Sequence, residues 1–187
     1  MKWMCTLIIC FCFIASHAQS VEYKTFAAVD SFLDNTNDTL YIVNFWATWC
    51  KPCIEELPLF DSVTAQNKNA PIKVILISLD AQIRWEDNLV PFLNNHAIQS
   101  TVWAIYKERP TDWIDLVDTR WQGTIPATLM FNNARQINYF HETSFTEATL
   151  NEKIISLILL YSLPLLTNQS SWDVKNLLPS LVLELVP

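Results

Sequence analysis

The chain has 187 residues, carries a formal net charge of −7 at pH 7, and contains a single glycine, Gly123. A net negative charge without basic runs argues against nucleic acid as a partner, because phosphate binding depends on clustered lysine and arginine. The scarcity of glycine excludes the glycine-rich loops that cradle nucleotide phosphates. The length suits one domain with a substantial core.

The first 18 residues have the pattern of a cleavable secretory signal. Lys2 supplies the positive start, residues 5–15 form a short apolar run, and Ser16 and Ala18 are small residues at the positions a signal peptidase reads. Cleavage there removes one positive charge and takes the formal net charge from −7 to −8. We therefore expect export to the periplasm.

Two alternatives to cleavage are an uncleaved membrane anchor and a lipoprotein acylated at Cys10 or Cys12. The apolar run is short for a membrane span, and neither cysteine follows the small residue that a lipoprotein signal needs. The rest of the chain is predicted to form one domain over 19–162. A C-terminal extension, 163–187, has no role that its sequence indicates.

Apolar patterns then predict an alternation of helices and strands along the domain. In chain order, they are a weak helix at 21–33, a strand at 40–46, a helix after residue 50, a strand at 72–79, a helix at 84–95, strands at 100–105, 127–131 and 136–140, and a helix at 146–161. Asn132 and Asn133 tolerate the positive φ of a hairpin turn between the last two strands. The order implies an α/β fold, with a central mixed β-sheet flanked by helices on both faces.

Cys50 and Cys53 are the two cysteines that remain after the predicted cleavage, and their spacing is C-x-x-C. Such a pair is a redox dithiol, a structural disulfide or half of a metal site. Closing so short a loop restricts the unfolded chain very little, so the pair is a poor structural disulfide. A zinc site needs further ligands, and the remaining candidates, His96 and His141, lie far apart in the sequence. We expect each histidine to be an ordinary surface or loop residue. We expect a redox pair and no metal.

The neighbouring residues suit thiol chemistry. A helix starting near Cys50 puts its sulfur at a helix N-terminus, where free N–H groups stabilise a thiolate. Cys50 then attacks a substrate disulfide, and Cys53, one turn along, resolves the mixed disulfide. Trp46 and Trp49 are predicted to screen the sulfurs and to offer an apolar contact face for the substrate. Pro52 is tolerated in the first turn of the helix.

The segment F-W-A-T-W-C-K-P-C-I-E-E-L-P, at 45–58, resembles the active-site segment of the thioredoxin superfamily, especially its exported TlpA/ResA-like thiol–disulfide oxidoreductases. The segment G-T-I-P-A-T, at 123–128, resembles the family's segment in which a cis proline faces the dithiol. The resemblance implies a thioredoxin-like fold and a cis bond between Ile125 and Pro126. It also implies that Ile125, Pro126 and Pro52 lie in the substrate-binding surface, where the backbone of Ile125 pairs with an extended substrate.

The resemblance favours an enzyme that reduces cysteine-containing proteins, and we expect a monomer that requires no cofactor. A membrane-linked thiol redox partner would donate electrons to the dithiol or accept them from it. The family's exported reductases often place a buried acid at the strand end where Asp80 stands, so Asp80 is a candidate to take the proton from Cys53. With equal weight, Asp80 simply begins a loop. Glu56 is the runner-up, and we expect it to be solvated.

Two other functions remain open from the sequence. The dithiol could bind copper(I), which prefers soft thiolate ligands, or the fold could bind peptides without catalysis. Most of the other tryptophans are expected in packed positions, since buried aromatic rings dominate cores; these are Trp85, Trp103, Trp113 and Trp172. Trp121, next to the Gly123 segment, is predicted with equal weight in the core or in the substrate groove.

Overall fold

The computed structural model describes residues 21–106 and 109–166, with side chains through residue 159. The predicted signal at 1–18, most of the extension at 163–187, and Trp172 lie outside the described residues. Within the described ranges, no helix combines the length and apolar character that a membrane crossing requires.

The described residues build one six-stranded sheet. Its strands are β1 (Val21–Lys24), β2 (Leu40–Trp46), β3 (Ile72–Ser78), β4 (Thr101–Ile105), β5 (Ala127–Asn132) and β6 (Ile137–His141). They lie in the order β1-β4-β3-β2-β5-β6. The first four in that order are parallel, and β5 and β6 are antiparallel to their neighbours. The predicted mixed sheet is confirmed.

Helices cover both faces of this sheet. They are α1 (Phe26–Leu33), α2 (Lys51–Gln66), α3 (Val90–Asn95), α4 (Ile114–Val117) and α5 (Glu147–Leu166). Buried residues of α2, α3 and α5 share one core cluster with Ile42 and Leu76 of the sheet. Those of α1 and α4 share a second cluster with Val43 and Ile77. Neighbouring residues of a strand point to opposite faces, so β2 and β3 feed both clusters. The predicted α/β architecture, a mixed sheet with helices on both faces, is therefore confirmed.

The helix predicted at 21–33 is wrong in its first part. Only Phe26–Leu33 is helical, and Thr25 begins that helix because its Oγ1 accepts a hydrogen bond from Ala28 N at 3.3 Å. Val21–Lys24 instead forms an edge strand, paired with β4 some eighty residues along the chain. So short a strand is decided by its partner rather than by its own propensity.

The helix predicted at 84–95 is present but irregular. A 3₁₀ turn at Gln82–Arg84 leads into a π turn at Trp85–Leu89, and only then does α3 begin. Pro91 has no N–H to donate to the preceding turn, which accounts for the break in regular hydrogen bonding.

The predicted hairpin turn is also corrected. The positive φ, 56°, belongs to Gln136 and not to Asn132 or Asn133. Asn132 Oδ1 accepts from Arg135 N at 3.1 Å, and Asn133 Nδ2 donates to the carbonyl groups of Leu33 and Asn35. The two asparagines are thus held in ordinary backbone conformations by their side-chain hydrogen bonds.

Candidate dithiol active site

Cys50 lies at the N-terminus of α2, directly after the turn that follows β2. Its Sγ accepts a hydrogen bond from Cys53 N at 3.3 Å, and its carbonyl group accepts from Ile54 N at 3.1 Å. Pro52 lies in the first turn of α2, where no backbone N–H is needed. The helix N-terminus therefore directs a backbone N–H at this sulfur, as the sequence predicts.

Cys50 and Cys53 are joined in a disulfide, with their Cα atoms 5.3 Å apart. Cys50 keeps 6% of its surface exposed, whereas Cys53 is completely buried. The more accessible sulfur of the pair is therefore that of Cys50.

The peptide bond between Ile125 and Pro126 is cis, which confirms the prediction. The carbonyl oxygen of Ile125 lies 3.8 Å from Cys50 Sγ. The two predicted motifs, separated by some seventy residues, therefore meet at one place.

The loop before Pro126 is held by side-chain hydrogen bonds. Trp121 Nε1 donates to the Thr124 carbonyl group at 2.8 Å, and Glu142 accepts from the backbone N–H and the hydroxyl of Thr124. Gly123 has a φ of 84°, which other residues rarely adopt. The backbone next to Cys50 is thus fixed by residues of the loop itself and by Glu142, which directly follows β6.

The tryptophans divide between surface and core. Trp49 is 68% exposed, and its role as a substrate contact stays a prediction. Trp46 is completely buried and packs against Phe92 with ring centroids 5.3 Å apart, so its prediction as a substrate contact is wrong. It is the last residue of a strand whose other residues are also almost all buried.

Trp121 is 2% exposed and packs on Phe45, so it belongs to the core. The tryptophans predicted to pack, Trp85, Trp103 and Trp113, do so.

Asp80 follows β3 and is buried, with 5% of its surface exposed. Its carboxylate accepts hydrogen bonds from Thr48 N at 3.0 Å, from Thr48 Oγ1 at 2.6 Å and from Ser78 Oγ at 2.9 Å. Both oxygens are therefore occupied by donors that tie the turn before Cys50 to the end of β3. These contacts give Asp80 a positioning role, and its role in proton transfer stays a prediction that they do not test.

We expect Asp80→Asn to lower the free energy of unfolding by about 2 kcal/mol, because an amide cannot accept all three hydrogen bonds. Urea unfolding of the oxidised protein measures this. Asp87→Asn is the matched control, since Asp87 is an exposed acid in the π turn at Trp85–Leu89. Its free energy of unfolding should stay within about 0.5 kcal/mol of the wild-type value. Equal stability of the two variants would contradict the positioning role.

Glu56 is buried, with 2% of its surface exposed, and the expectation that it is solvated is wrong. Burial raises the pKa of its carboxyl to about 7, although hydrogen bonds from Phe145 N and Asn44 Nδ2 lower it in part. Both bonds are 2.8 Å long. The signal that could have located Glu56 is its spacing, because Cys53, Glu56, Leu57 and Phe60 follow the 3, 4 and 7 periodicity of one buried helix face.

Asn44 and Thr128 are site residues that the sequence reasoning missed. Asn44 lies in the middle of β2, is fully buried, and donates from Nδ2 to Thr128 Oγ1 at 3.0 Å as well as to Glu56. Its Oδ1 has no hydrogen-bond partner among the described residues. The missed signal was a polar residue within an otherwise apolar buried strand. The network links β2, α2, β5 and, through Phe145, the start of α5.

Within residues 21–106 and 109–166, no group of three or more His, Cys, Asp or Glu side chains is arranged to hold a metal ion. His96 stacks on Phe92, with its Nδ1 2.8 Å from the carbonyl oxygen of that residue. His141 contacts Tyr139 and Thr143. Both histidines are thus engaged in local contacts.

Comparison with known proteins agrees with this geometry. The AhpC/TSA family model matches residues 14–140, which is more than half of the chain. The thioredoxin-like protein YneN of Bacillus subtilis is 20% identical over 137 residues, covering 73% of this chain and 76% of that protein. The thiol–disulfide oxidoreductase ResA of Oceanobacillus iheyensis is 41% identical over 39 residues, which are 21% of this chain and 20% of that protein.

Solved structures share the fold. A thioredoxin-related protein from Neisseria meningitidis serogroup B superposes with a TM-score of 0.57 at 22% identity, over 70% of this chain and 90% of that one. A putative thiol:disulfide interchange protein DsbE from Chlorobium tepidum gives 0.52 at 20% identity, over 66% and 83%. The chain belongs to the AhpC/TSA family, and its C-x-x-C pair on a thioredoxin-like sheet is similar to the corresponding site of thiol–disulfide oxidoreductases.

Proposed function

We propose that this protein is exported and reduces disulfide bonds in other proteins. The observation that carries the proposal is the contact between Cys50 Sγ and the Ile125 carbonyl group beside the cis proline, at 3.8 Å. It puts the outer sulfur next to a backbone edge at which an extended protein segment can bind. The signal pattern of residues 1–18 supports export, and an exported compartment is where protein disulfides persist.

The first step begins from the reduced protein. The thiolate of Cys50 attacks one sulfur of the substrate disulfide, forms a mixed disulfide, and expels the other substrate sulfur as a thiolate that takes a proton from water. The N–H groups at the start of α2 stabilise the attacking thiolate. The substrate segment lies along Ile125, with Trp49 as an exposed apolar contact.

In the second step, Cys53 attacks Cys50 and releases the second substrate thiol. The thiol of Cys53 must first lose its proton, and we assign that proton to Glu56. Glu56 follows Cys53 by three residues on the same buried face of α2, and residues at that spacing are neighbours on a helix. A carboxyl with a pKa of about 7 exchanges protons readily near neutral pH.

One turnover moves two electrons from the dithiol to the substrate and leaves the Cys50–Cys53 disulfide. A membrane-linked thiol partner would return two electrons and two protons, which closes the cycle. Asp80 acts in this scheme as a positioning residue, because it holds the turn that carries Trp49 and Cys50.

A redox titration of the Cys50–Cys53 pair against glutathione tests the direction of transfer. We expect a reduction potential near that of thioredoxin, about −270 mV, since such a dithiol donates electrons. A value near that of a strong oxidant, about −120 mV, would overturn the proposed reducing role.

A further inference from the structure

A buried asparagine interrupts the apolar face that β2 turns toward α2. The other residues of β2 on that face, Leu40, Ile42 and Trp46, belong to the core cluster, whereas Asn44 presents an amide with none of its surface exposed. An apolar side chain would fill this position without the free-energy cost of taking an amide out of water. The contacts of the amide therefore have to explain why it is there.

Asn44 uses both of its N–H donors and leaves its oxygen unpaired. Nδ2 donates to Glu56 Oε1 at 2.8 Å and to Thr128 Oγ1 at 3.0 Å. Oδ1 is buried and has no hydrogen-bond partner among the described residues. A buried polar atom without a partner is destabilising. The amide is thus oriented for donation to Glu56, although this orientation leaves its own oxygen unpaired.

Thr128 anchors this amide from the neighbouring strand. Asn44 and Thr128 lie directly opposite each other in the antiparallel register of β2 and β5. Thr128 is completely buried, so its hydroxyl has no access to bulk water. Thr128 also follows Pro126 by two residues. The strand that begins beside the dithiol therefore holds the Asn44 amide as well.

The two hydrogen bonds to Glu56 stabilise its ionised form. The pKa of this carboxyl is about 7, because burial raises it and hydrogen bonds from Phe145 N and Asn44 Nδ2 lower it. Phe145 donates from its backbone, so Asn44 is the donor that a side-chain substitution can remove. Other titratable groups on the elements of this core face are Cys53 on α2, Asp80 after β3, Tyr139 and His141 on β6, and Lys153 on α5. Burial and the two hydrogen bonds account for the shift without them.

We propose that Asn44 is a positioning residue for the step in which Cys53 attacks Cys50. Its amide holds the Glu56 carboxylate one turn after Cys53 and favours the ionised form, which is the form that accepts the proton of the thiol. This inference rests on the proposed dithiol exchange. It adds that two strands, β2 through Asn44 and β5 through Thr128, control the base of the second step.

Asn44→Leu tests this role, because leucine is similar in size and donates no hydrogen bond. Glu56 then keeps one of its two donors, so its ionised form is less stable and the pH midpoint of its titration should rise by about one pH unit. Carbon-13 NMR of the Glu56 carboxyl measures this midpoint in the oxidised protein, in which the disulfide-bonded cysteines do not titrate.

Stopped-flow reaction of the reduced variant with glutathione disulfide measures the effect on the second step. Release of the second glutathione should be about fivefold slower at pH 7, and its pH midpoint should rise by the same amount as in NMR. The first attack, by Cys50, should keep its rate. A purely structural defect would slow release equally at every pH, so the midpoint is the deciding quantity.

Thr128→Val and Thr128→Ser test the anchor with smaller changes, and they decide the question even where Asn44→Leu does not fold. Valine replaces the hydroxyl with a methyl group and should raise both midpoints by about half a pH unit. Serine keeps the hydroxyl and should restore the wild-type values. Asn138→Leu is the matched control, since Asn138 is an exposed residue of β6, and both midpoints should stay unchanged.

The wild-type reaction with glutathione disulfide separates this role from the proposed function. If the reduced wild type releases no glutathione, the dithiol exchange itself is wrong, and so is the part of Asn44 in it. If exchange proceeds but Asn44→Leu and Thr128→Val keep the wild-type midpoint of release, the exchange stands and the positioning role is overturned.

Discussion

We expect that replacing Cys50 with serine abolishes disulfide exchange, and that replacing Cys53 with serine arrests the reaction at the mixed disulfide. A hydroxyl is not ionised near neutral pH and is a far weaker nucleophile than a thiolate, so we expect the rate of the Cys50→Ser variant to fall by about three orders of magnitude or more. In the Cys53→Ser variant the attacking sulfur remains, but nothing displaces the bound substrate.

Mass spectrometry after mixing with glutathione disulfide distinguishes the two variants. Cys53→Ser should accumulate one glutathione adduct on Cys50, and Cys50→Ser should show no turnover. The order follows from burial, because Cys50 is the partly exposed sulfur and Cys53 is enclosed. Turnover by Cys50→Ser at the wild-type rate, or a stable adduct on Cys53 of the wild-type protein, would contradict the assigned order.

Replacing Glu56 with glutamine changes how stability depends on pH. The pKa of Glu56 is raised from 4.5 to about 7 in the folded protein. Between these values the folded protein keeps a proton that the unfolded chain has released. The ionisation of Glu56 therefore lowers the free energy of unfolding of the wild type by about 3 kcal/mol as pH rises through this window. Above the window Glu56 causes no further change in that free energy.

Glu56→Gln cannot ionise, so the contribution of residue 56 to this fall disappears. The difference in unfolding free energy between wild type and variant should change by about 3 kcal/mol between pH 4.5 and pH 8. Urea unfolding of both oxidised proteins at the two pH values measures it. The control is Glu55→Gln, because Glu55 is adjacent but solvent-exposed and pairs with Lys51 at 3.7 Å. That variant should follow the wild type.

The same substitution tests proton transfer. Above pH 7 the ionised Glu56 can accept the proton of Cys53, so resolution of the mixed disulfide should be slowed about tenfold to a hundredfold in Glu56→Gln. Stopped-flow measurement of the release of the second thiol reports this step separately from the attack by Cys50. An unchanged release rate with an altered stability profile would leave Glu56 a structural role only.

Much of the site could be predicted from the sequence because it depends on local pattern. The C-x-x-C spacing after a buried strand determined that Cys50 would begin a helix and that Cys53 would lie within reach of it. The alternation of strands and helices determined the mixed sheet. The T-I-P-A segment indicated the cis proline through resemblance to a family in which that segment faces the dithiol.

Only the tertiary structure decided which acid is buried and which aromatic ring is free. Glu55 and Glu56 are adjacent and chemically identical in the sequence, yet Glu56 alone points inward, where Asn44 and Phe145 bind it. Trp46 is enclosed and Trp49 exposed because a strand inside a covered sheet ends between them. Burial depends on neighbours that are distant along the chain. Burial raises the pKa of a carboxyl, and a ring that is not buried is free to contact a partner.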